Sequence, residues 1–146
     1  MVHLEGVRQF PLPPGEVAPR LGDAAFLVGC LSQVDEVVEA GPDRATWKLR
    51  PPFSFVSGTL ETTLDVVERS ESGARYRLLS KGVGATAKVE AEVACEPEGA
   101  GTRVRWSADV TEMTGLLKWV PKGLITSSAG KVIEEVWQSV EAKLKP

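Results

Sequence analysis

The 146-residue chain has few of the side chains that most often carry catalytic chemistry. Its single histidine is His3, and its two cysteines are Cys30 and Cys95. Two cysteines so far apart in a short chain predict buried, reduced thiols rather than a disulfide framework or a zinc site. Because the patterns HExxH, CxxC, GxSxG and GxGxxG do not occur, the sequence predicts no catalytic residues, no metal site and no bound cofactor.

The chain also lacks a basic excess, a long apolar run and a signal-peptide pattern. It carries 17 Lys and Arg against 20 Asp and Glu, a net charge of -3, which argues against nucleic acid as a partner. No apolar run approaches the roughly 18 to 20 residues of a transmembrane helix, and residues 1–5 do not resemble the start of a signal peptide. We therefore expect a cytoplasmic protein folded as one domain over residues 1–146.

Alternating apolar and polar residues dominate the middle and the second half of the chain. Residues 87–95 and 104–110 place apolar side chains at every second position, with a glycine-containing turn at residues 98–101 between them. A period of two predicts antiparallel strands with one buried face. Weaker alternation predicts further strands at residues 2–10, 34–40, 44–50 and 60–66 and from Tyr76 onward.

The last part of the chain has helical periodicity instead. Two short helices are also predicted earlier, at residues 16–21 and after Asp23, whose side chain can cap the second one. The order is one strand, two short helices, about six strands and a long helix, which predicts an α+β fold whose helix covers the apolar face of the sheet. The apolar stripe of the long helix begins at Ala129 and comprises Ala129, Val132, Ile133, Val136, Trp137, Val140 and Leu144.

Four segments of the chain carry a resemblance to one known protein family. Residues 10–17 (FPLPPGEV) resemble the point where its first strand runs into a helix. Residues 23–31 resemble the family's segment that runs from an Asp to a Cys. Residues 101–104 resemble its Gly-Thr-x-Val turn, and residues 115–117 resemble the start of its final helix, which opens with a glycine. The sequence departs from the family at Ala18 (often Trp), at Ser32 and Gln33 (Pro-Gly), and at Pro121 in the start of the last helix.

The family that these segments resemble is the G-subunit family of carbon monoxide dehydrogenase, which lies within the START and birch-pollen-allergen superfamily, also called SRPBCC or polyketide cyclase-like. The resemblance implies a helix-grip fold, in which a curved antiparallel sheet of six or seven strands wraps around a long C-terminal helix, with two short helices after the first strand. The superfamily includes lipid carriers, cyclases and hormone receptors, so the fold alone does not decide the function. The closer resemblance implies a partner, a molybdenum hydroxylase of the carbon monoxide dehydrogenase type.

We expect an internal cavity between sheet and helix, because residues 126–130 in the middle of the helix (TSSAG) are all small. Small side chains facing a curved sheet leave space unfilled. The alternative is that Pro121 and this segment break the helix and that sheet side chains, including the aromatic ones, fill the gap. The predicted cavity lining is Trp47, Leu49, Leu60, Leu64, Tyr76, Leu78, Val89, Ala91, Trp106, Ala108, Leu117, Val120, Leu124 and Ser128.

The predicted rim of this cavity consists of Phe53, Phe55 and Trp119. They lie in two connections, residues 51–55 and 116–120, that we expect at the open end of the grip. Exposed aromatic side chains there would serve ligand access or partner docking. In the alternative, they fold back and plug the end of the barrel.

The main functional hypothesis is a non-enzymatic protein that holds a small hydrophobic or amphipathic ligand in the cavity. A second hypothesis, from the resemblance, is an accessory protein that helps a molybdenum hydroxylase mature or attach to a membrane. A third is a cyclase- or dehydratase-like enzyme acting on a bound polyketide. Its chemistry would come from Tyr76 or from a carboxylate at the cavity, because His3 is poorly placed.

Overall fold

The computed structural model describes residues 2–50, 58–82 and 84–144. The order of its elements agrees with the order predicted from the sequence. The elements are β1 (Val2–Phe10), α1 (Pro14–Leu21), α2 (Ala24–Val28), β2 (Glu36–Ala40), β3 (Arg44–Leu49), β4 (Leu60–Ser70), β5 (Gly73–Gly82), β6 (Ala85–Glu98), β7 (Gly101–Thr114), a 3-10 helix (Gly115–Trp119) and α3 (Lys122–Lys143).

The seven strands form one antiparallel sheet in the order β1-β7-β6-β5-β4-β3-β2. Strands β2 to β7 follow one another as a meander, and β1 pairs with β7 from Val2 opposite Val110 to Phe10 opposite Thr102. α1 and α2 connect the two edge strands, β1 and β2, across the face of the sheet that α3 also covers. The predicted α+β helix-grip fold, with a curved sheet around a C-terminal helix, is confirmed.

Side chains of the central strands hold the junction of α1 and α2 against the sheet. The Tyr76 hydroxyl on β5 donates a hydrogen bond to the Leu21 carbonyl oxygen. The Arg69 guanidinium on β4 donates to the Gly22 carbonyl oxygen from Nε at 2.9 Å. Asp23 then caps α2 by accepting a hydrogen bond of 3.0 Å from the backbone amide two residues on, as its position in the sequence predicts.

α3 is one continuous helix from Lys122 to Lys143, so the small residues 126–130, predicted in the middle of the last helix, lie in its first half. Pro121 stands immediately before the first helical residue, where its missing N–H removes no helical hydrogen bond. The chain therefore does break at Pro121, between the 3-10 helix and α3, as the alternative states, whereas the small-residue segment 126–130 lies inside α3 without a break. In the first turns, Ile125 takes the buried position and Leu124 is 39% exposed, so Leu124 does not face the sheet as predicted.

Three clusters of buried side chains fill most of the space between the sheet and the helices. One joins the second half of α3 to β1, β6 and β7, a second lies under the 3-10 helix and the start of α3, and a third lies under α2 on β3, β4 and β5. The buried members at their centres are Phe10, Trp137 and Val140 in the first, Val2, Val110 and Leu117 in the second, and Trp47, Leu64 and Tyr76 in the third.

Candidate functional site

A cavity of about 370 Å³ lies between the sheet, α3 and the connection from α2 to β2. Its walls are formed by residues of β3 to β7, by one side of α3 from Val132 to Val140, by Leu21 at the end of α1, and by residues 27–28 and 31–34. α3 comes closest to the edge strand β1, so it stands off from the central strands and leaves this space beneath it. The volume is within the range of small-molecule binding sites.

Eight predicted lining residues line the observed cavity. They occupy alternating positions on β3 to β7, where the period of two decides which side chains face inward. Trp106 fits there because Gly6 lies opposite it on β1, and a Cβ at Gly6 would come within 2.8 Å of the Trp106 indole. The eight residues are Trp47, Leu49, Leu64, Tyr76, Leu78, Ala91, Trp106 and Ala108.

The structure places the other six predicted lining residues outside this cavity: Leu60, Val89, Leu117, Val120, Leu124 and Ser128. Leu117, Val120 and Val89 pack instead in the cluster under the 3-10 helix. The 3-10 helix folds Leu117 and Val120 beneath the first half of α3, and they fill the space expected to be empty. The cavity therefore lies against the second half of α3 rather than against the small-residue segment.

Sequence reasoning missed three groups of lining residues. The first is the connection after α2, where Leu31, Ser32 and Gln33 line the cavity without any periodic signal. The second is the apolar stripe of α3, which the helical spacing identified but which was expected to pack directly on the sheet. The third group is Thr62 and Ser80. Their inward orientation could have been predicted, because they alternate in phase with inward-facing leucines on β4 and β5.

Few polar groups face the cavity. The Thr62 and Ser80 hydroxyl oxygens are hydrogen-bonded at 2.7 Å. The Tyr76 hydroxyl is engaged by the Leu21 carbonyl, and burial raises the pKa of Tyr76 well above its usual range. Glu135 accepts a hydrogen bond of 2.9 Å from the Ser32 hydroxyl. Among the lining residues that the structure describes there is no His, Cys, Lys, Arg or Asp.

The residues with the most reactive side-chain types do not line this cavity. Cys30 and Cys95 are free, buried thiols, and burial raises the pKa of Cys30 and brings that of Cys95 to about 11. His3 lies exposed on β1, with Nδ1 2.6 Å from Asp109 Oδ1 and Nε2 3.4 Å from Glu5 Oε2. The three side chains therefore do not form a catalytic group with the cavity.

The imidazole of His3 is expected to titrate above its ordinary pKa of about 6.5. The hydrogen bonds to Asp109 and Glu5 favour the protonated ring and raise its pKa. Because the chain has a single histidine, its ring signal in an NMR titration is unambiguous. Asp109→Asn is expected to lower the pKa, whereas Asp65→Asn, at an ion pair with Arg44, should leave it unchanged. A wild-type pKa at or below 6.5 would contradict the described contacts.

The predicted rim is only partly within the described residues. Trp119 is 80% exposed at the end of the 3-10 helix, and it is not among the residues that line the cavity. Phe53 and Phe55 lie outside the described residues. An aromatic rim for ligand access stays a prediction.

Two structural features were looked for in the described part of the chain: a metal-binding group and a membrane-spanning helix. Over residues 2–50, 58–82 and 84–144, no group of three or more His, Cys, Asp or Glu side chains is arranged to hold a metal ion. None of the helices in these ranges combines the length and the apolar character needed to cross a membrane.

Comparison with known proteins identifies a family and a fold. A family model described as "Polyketide cyclase / dehydrase and lipid transport" matches residues 1–145. No curated protein sequence matches the chain.

Several solved structures share the fold at low sequence identity. A conserved protein from Geobacillus kaustophilus superposes with a TM-score of 0.83 at 14% identity, covering 98% of this chain and 95% of that one. A START superfamily protein from Mycobacterium smegmatis gives a TM-score of 0.67 at 12% identity, with 97% and 96% covered. A Thermus thermophilus protein gives 0.66 at 18% identity, with 98% and 97% covered. Such low identities show a common fold and do not transfer a ligand.

Proposed function

Because the chain belongs to the polyketide cyclase/dehydrase and lipid transport family, we propose that it is a non-enzymatic protein that binds a small hydrophobic or amphipathic ligand in the cavity. The observation that carries this proposal is the character of the walls. Leucine, valine and tryptophan side chains from five strands and three helices surround the space, with few hydroxyl groups among them. An apolar ligand would gain about 25 cal/mol for each Å² of apolar surface that it buries there, before ordering costs.

The three tryptophans of the wall support the same proposal. Trp47, Trp106 and Trp137 come from β3, β7 and α3 and line the cavity from different sides. Aromatic side chains give a ligand large, rigid contact surfaces. They also make binding measurable, because an apolar fluorescent dye inside the cavity would lie close to all three indoles.

Binding without chemistry is favoured over a cyclase or dehydratase activity. A general acid or base must have its proton within reach of the substrate and a pKa near the working pH. The Tyr76 hydroxyl is hydrogen-bonded to a backbone carbonyl, and its pKa is raised away from neutrality. Glu135 is the remaining candidate, and the Glu135→Gln variant distinguishes the two functions, because an enzyme that used this carboxylate would lose its turnover.

Filling the cavity is expected to weaken ligand binding while the fold is retained. Ala91 on β6 lines the cavity, and Ala91→Phe would occupy the space that the ligand needs. We expect the dissociation constant for the neutral dye N-phenylnaphthylamine, measured by energy transfer from tryptophan, to rise by about tenfold or more. The matched control is Ala142→Phe on the exposed side of α3, which should bind like the wild type. The proposal would be overturned if both variants bound the dye equally. It would also be overturned if native mass spectra of the protein from its host showed no bound ligand and the wild type bound no dye.

A second candidate function is favoured by one observation, the exposure of Trp119. The ring is largely in solvent, with Lys118 Nζ 6.0 Å from its centroid. Exposed tryptophans are frequent anchors of protein interfaces. Together with the resemblance to the G-subunit family of carbon monoxide dehydrogenase, this supports docking on a molybdenum hydroxylase. Copurification of that enzyme should be lost with Trp119→Ser and kept with Val67→Ser, which changes an exposed valine of β4. If the molybdenum hydroxylase did not copurify with the wild-type protein, docking would be contradicted.

A further inference from the structure

One end of the cavity reaches solvent where α3 passes the connection between α2 and β2. Val132 on α3 lines the cavity and is 40% exposed. Ser32 and Gln33 line the cavity from the connection, and both are also exposed to solvent. The Ser32 hydroxyl donates to Glu135 Oε2 at 2.9 Å, so the two elements meet at this mouth. Glu135 is half-buried there, beside the apolar wall of the cavity.

The charged side chains among the described lining residues have one sign. The described lining contains two carboxylates, Glu92 and Glu135, and no basic side chain. The carboxylate of Glu92 is largely in solvent and lies 3.2 Å from Arg75 Nε, so its charge is compensated outside the cavity. Glu135 differs from Glu134 and Glu141 on the same helix, which both form ion pairs with Arg8. Among the described residues no basic nitrogen lies within 4.0 Å of the Glu135 carboxylate.

This arrangement would favour some ligand head groups over others. An anionic head at the mouth would face an uncompensated carboxylate next to apolar walls, and no cation of the described lining would neutralise it. A head group that donates hydrogen bonds would instead find an acceptor, because a carboxylate has about four lone-pair sites and Ser32 uses one of them. At the inner walls, the Thr62 and Ser80 hydroxyls are bonded to each other, which leaves that region suited to an apolar tail.

We propose that the cavity selects amphiphiles whose head group donates hydrogen bonds, such as long-chain amines and alcohols, and rejects fatty-acid-type anions, with Glu135 binding the head at the mouth. This inference rests on the proposed ligand-binding function and specifies its ligand class. An amine head would gain a charge-assisted hydrogen bond to Glu135, which is about twice as strong as a neutral one. The alcohol would gain a hydrogen bond to a charged acceptor, and the carboxylate would gain neither.

The test compares three ligands with the same twelve-carbon tail, dodecylamine, dodecanol and dodecanoate, as competitors of bound N-phenylnaphthylamine at neutral pH and below micelle-forming concentrations. We expect dodecylamine to displace the dye at about a tenfold lower concentration than dodecanoate, with dodecanol between them. Glu135→Gln should weaken dodecylamine by about tenfold and strengthen dodecanoate. Glu134→Gln removes the same charge from an outward position on the same helix and should preserve the wild-type order.

Each outcome decides the inference. The role of Glu135 would be overturned if dodecanoate bound the wild-type protein as tightly as dodecylamine. It would also be overturned if Glu135→Gln left the order of affinities unchanged while circular dichroism showed that the variant is folded. Both outcomes would leave the ligand-binding function standing. If neither the dye nor any of the three ligands binds the wild-type protein, the proposed function fails and this inference fails with it.

Discussion

Replacing Trp137 by alanine is expected to lower the free energy of unfolding by about 3 to 5 kcal/mol. Trp137 is 6% exposed and belongs to the core cluster between α3 and the sheet. Its ring centroid lies 6.0 Å from that of Phe10 and 6.5 Å from that of Trp106. Removing the indole would leave a void that joins the existing cavity, so the side chains around it would lose contacts that they cannot recover by small movements. Urea unfolding monitored by circular dichroism measures the change.

Gln138→Ala is the control for this variant. Gln138 follows Trp137 on α3 but is exposed, and its change should alter stability by no more than about 0.5 kcal/mol. Comparable midpoints for the two variants would mean that α3 presents a different face to the sheet. The same variants also report on function, because Trp137 lines the cavity and its loss should alter dye binding, whereas loss of the Gln138 amide should not.

Gly115→Ala is expected to lower the free energy of unfolding by about 2 to 5 kcal/mol. Gly115 opens the 3-10 helix with a φ of 65°, in the left-handed region. A Cβ at this position would also lie 1.7 Å from the Gly84 carbonyl oxygen, so the backbone of one of the two segments would have to move. The 3-10 helix places Leu117 and Val120 in the second core cluster, and a displacement there would loosen the start of α3.

Gly123→Ala is the matched control, because it makes the same change of side chain close by. Gly123 lies in the first turn of α3, and nothing would lie within 4 Å of a Cβ there. Alanine has a higher helix propensity than glycine, so this variant should be as stable as the wild type or more stable by up to about 1 kcal/mol. Equal stability of the two variants would show that the carbonyl of Gly84 does not approach Gly115 as described.

Which side chains of each strand face inward was predictable from the sequence, because this depends only on residues that are neighbours in the chain. A period of two assigns every inward position of a strand once one is known, and eight residues on β3 to β7 were placed in the cavity wall in this way. The cap at Asp23 was predictable for the same reason, since it forms a hydrogen bond to a backbone amide two residues away. The stripe on α3 correctly identified Trp137 and Val140 as buried.

The position of the cavity depends on contacts between residues far apart in the chain. The small residues in α3 suggested a space beneath its first half, but Leu117 and Val120 occupy that space because the 3-10 helix folds under it. The mouth depends on the non-periodic connection after α2, where Ser32 meets Glu135 across more than a hundred residues of sequence. No local pattern records such a meeting, so neither the mouth nor its carboxylate was predicted.

Local pattern therefore determines the order of the elements, the buried face of each strand and the apolar character of the interior. These properties follow from the backbone periods of strands and helices, which act over a few residues. The tertiary structure alone decides which part of the interior stays open and which polar group borders it. Both depend on α3 lying closest to the edge strand β1 and standing off from the central strands, because the unfilled volume is what remains after all elements have packed.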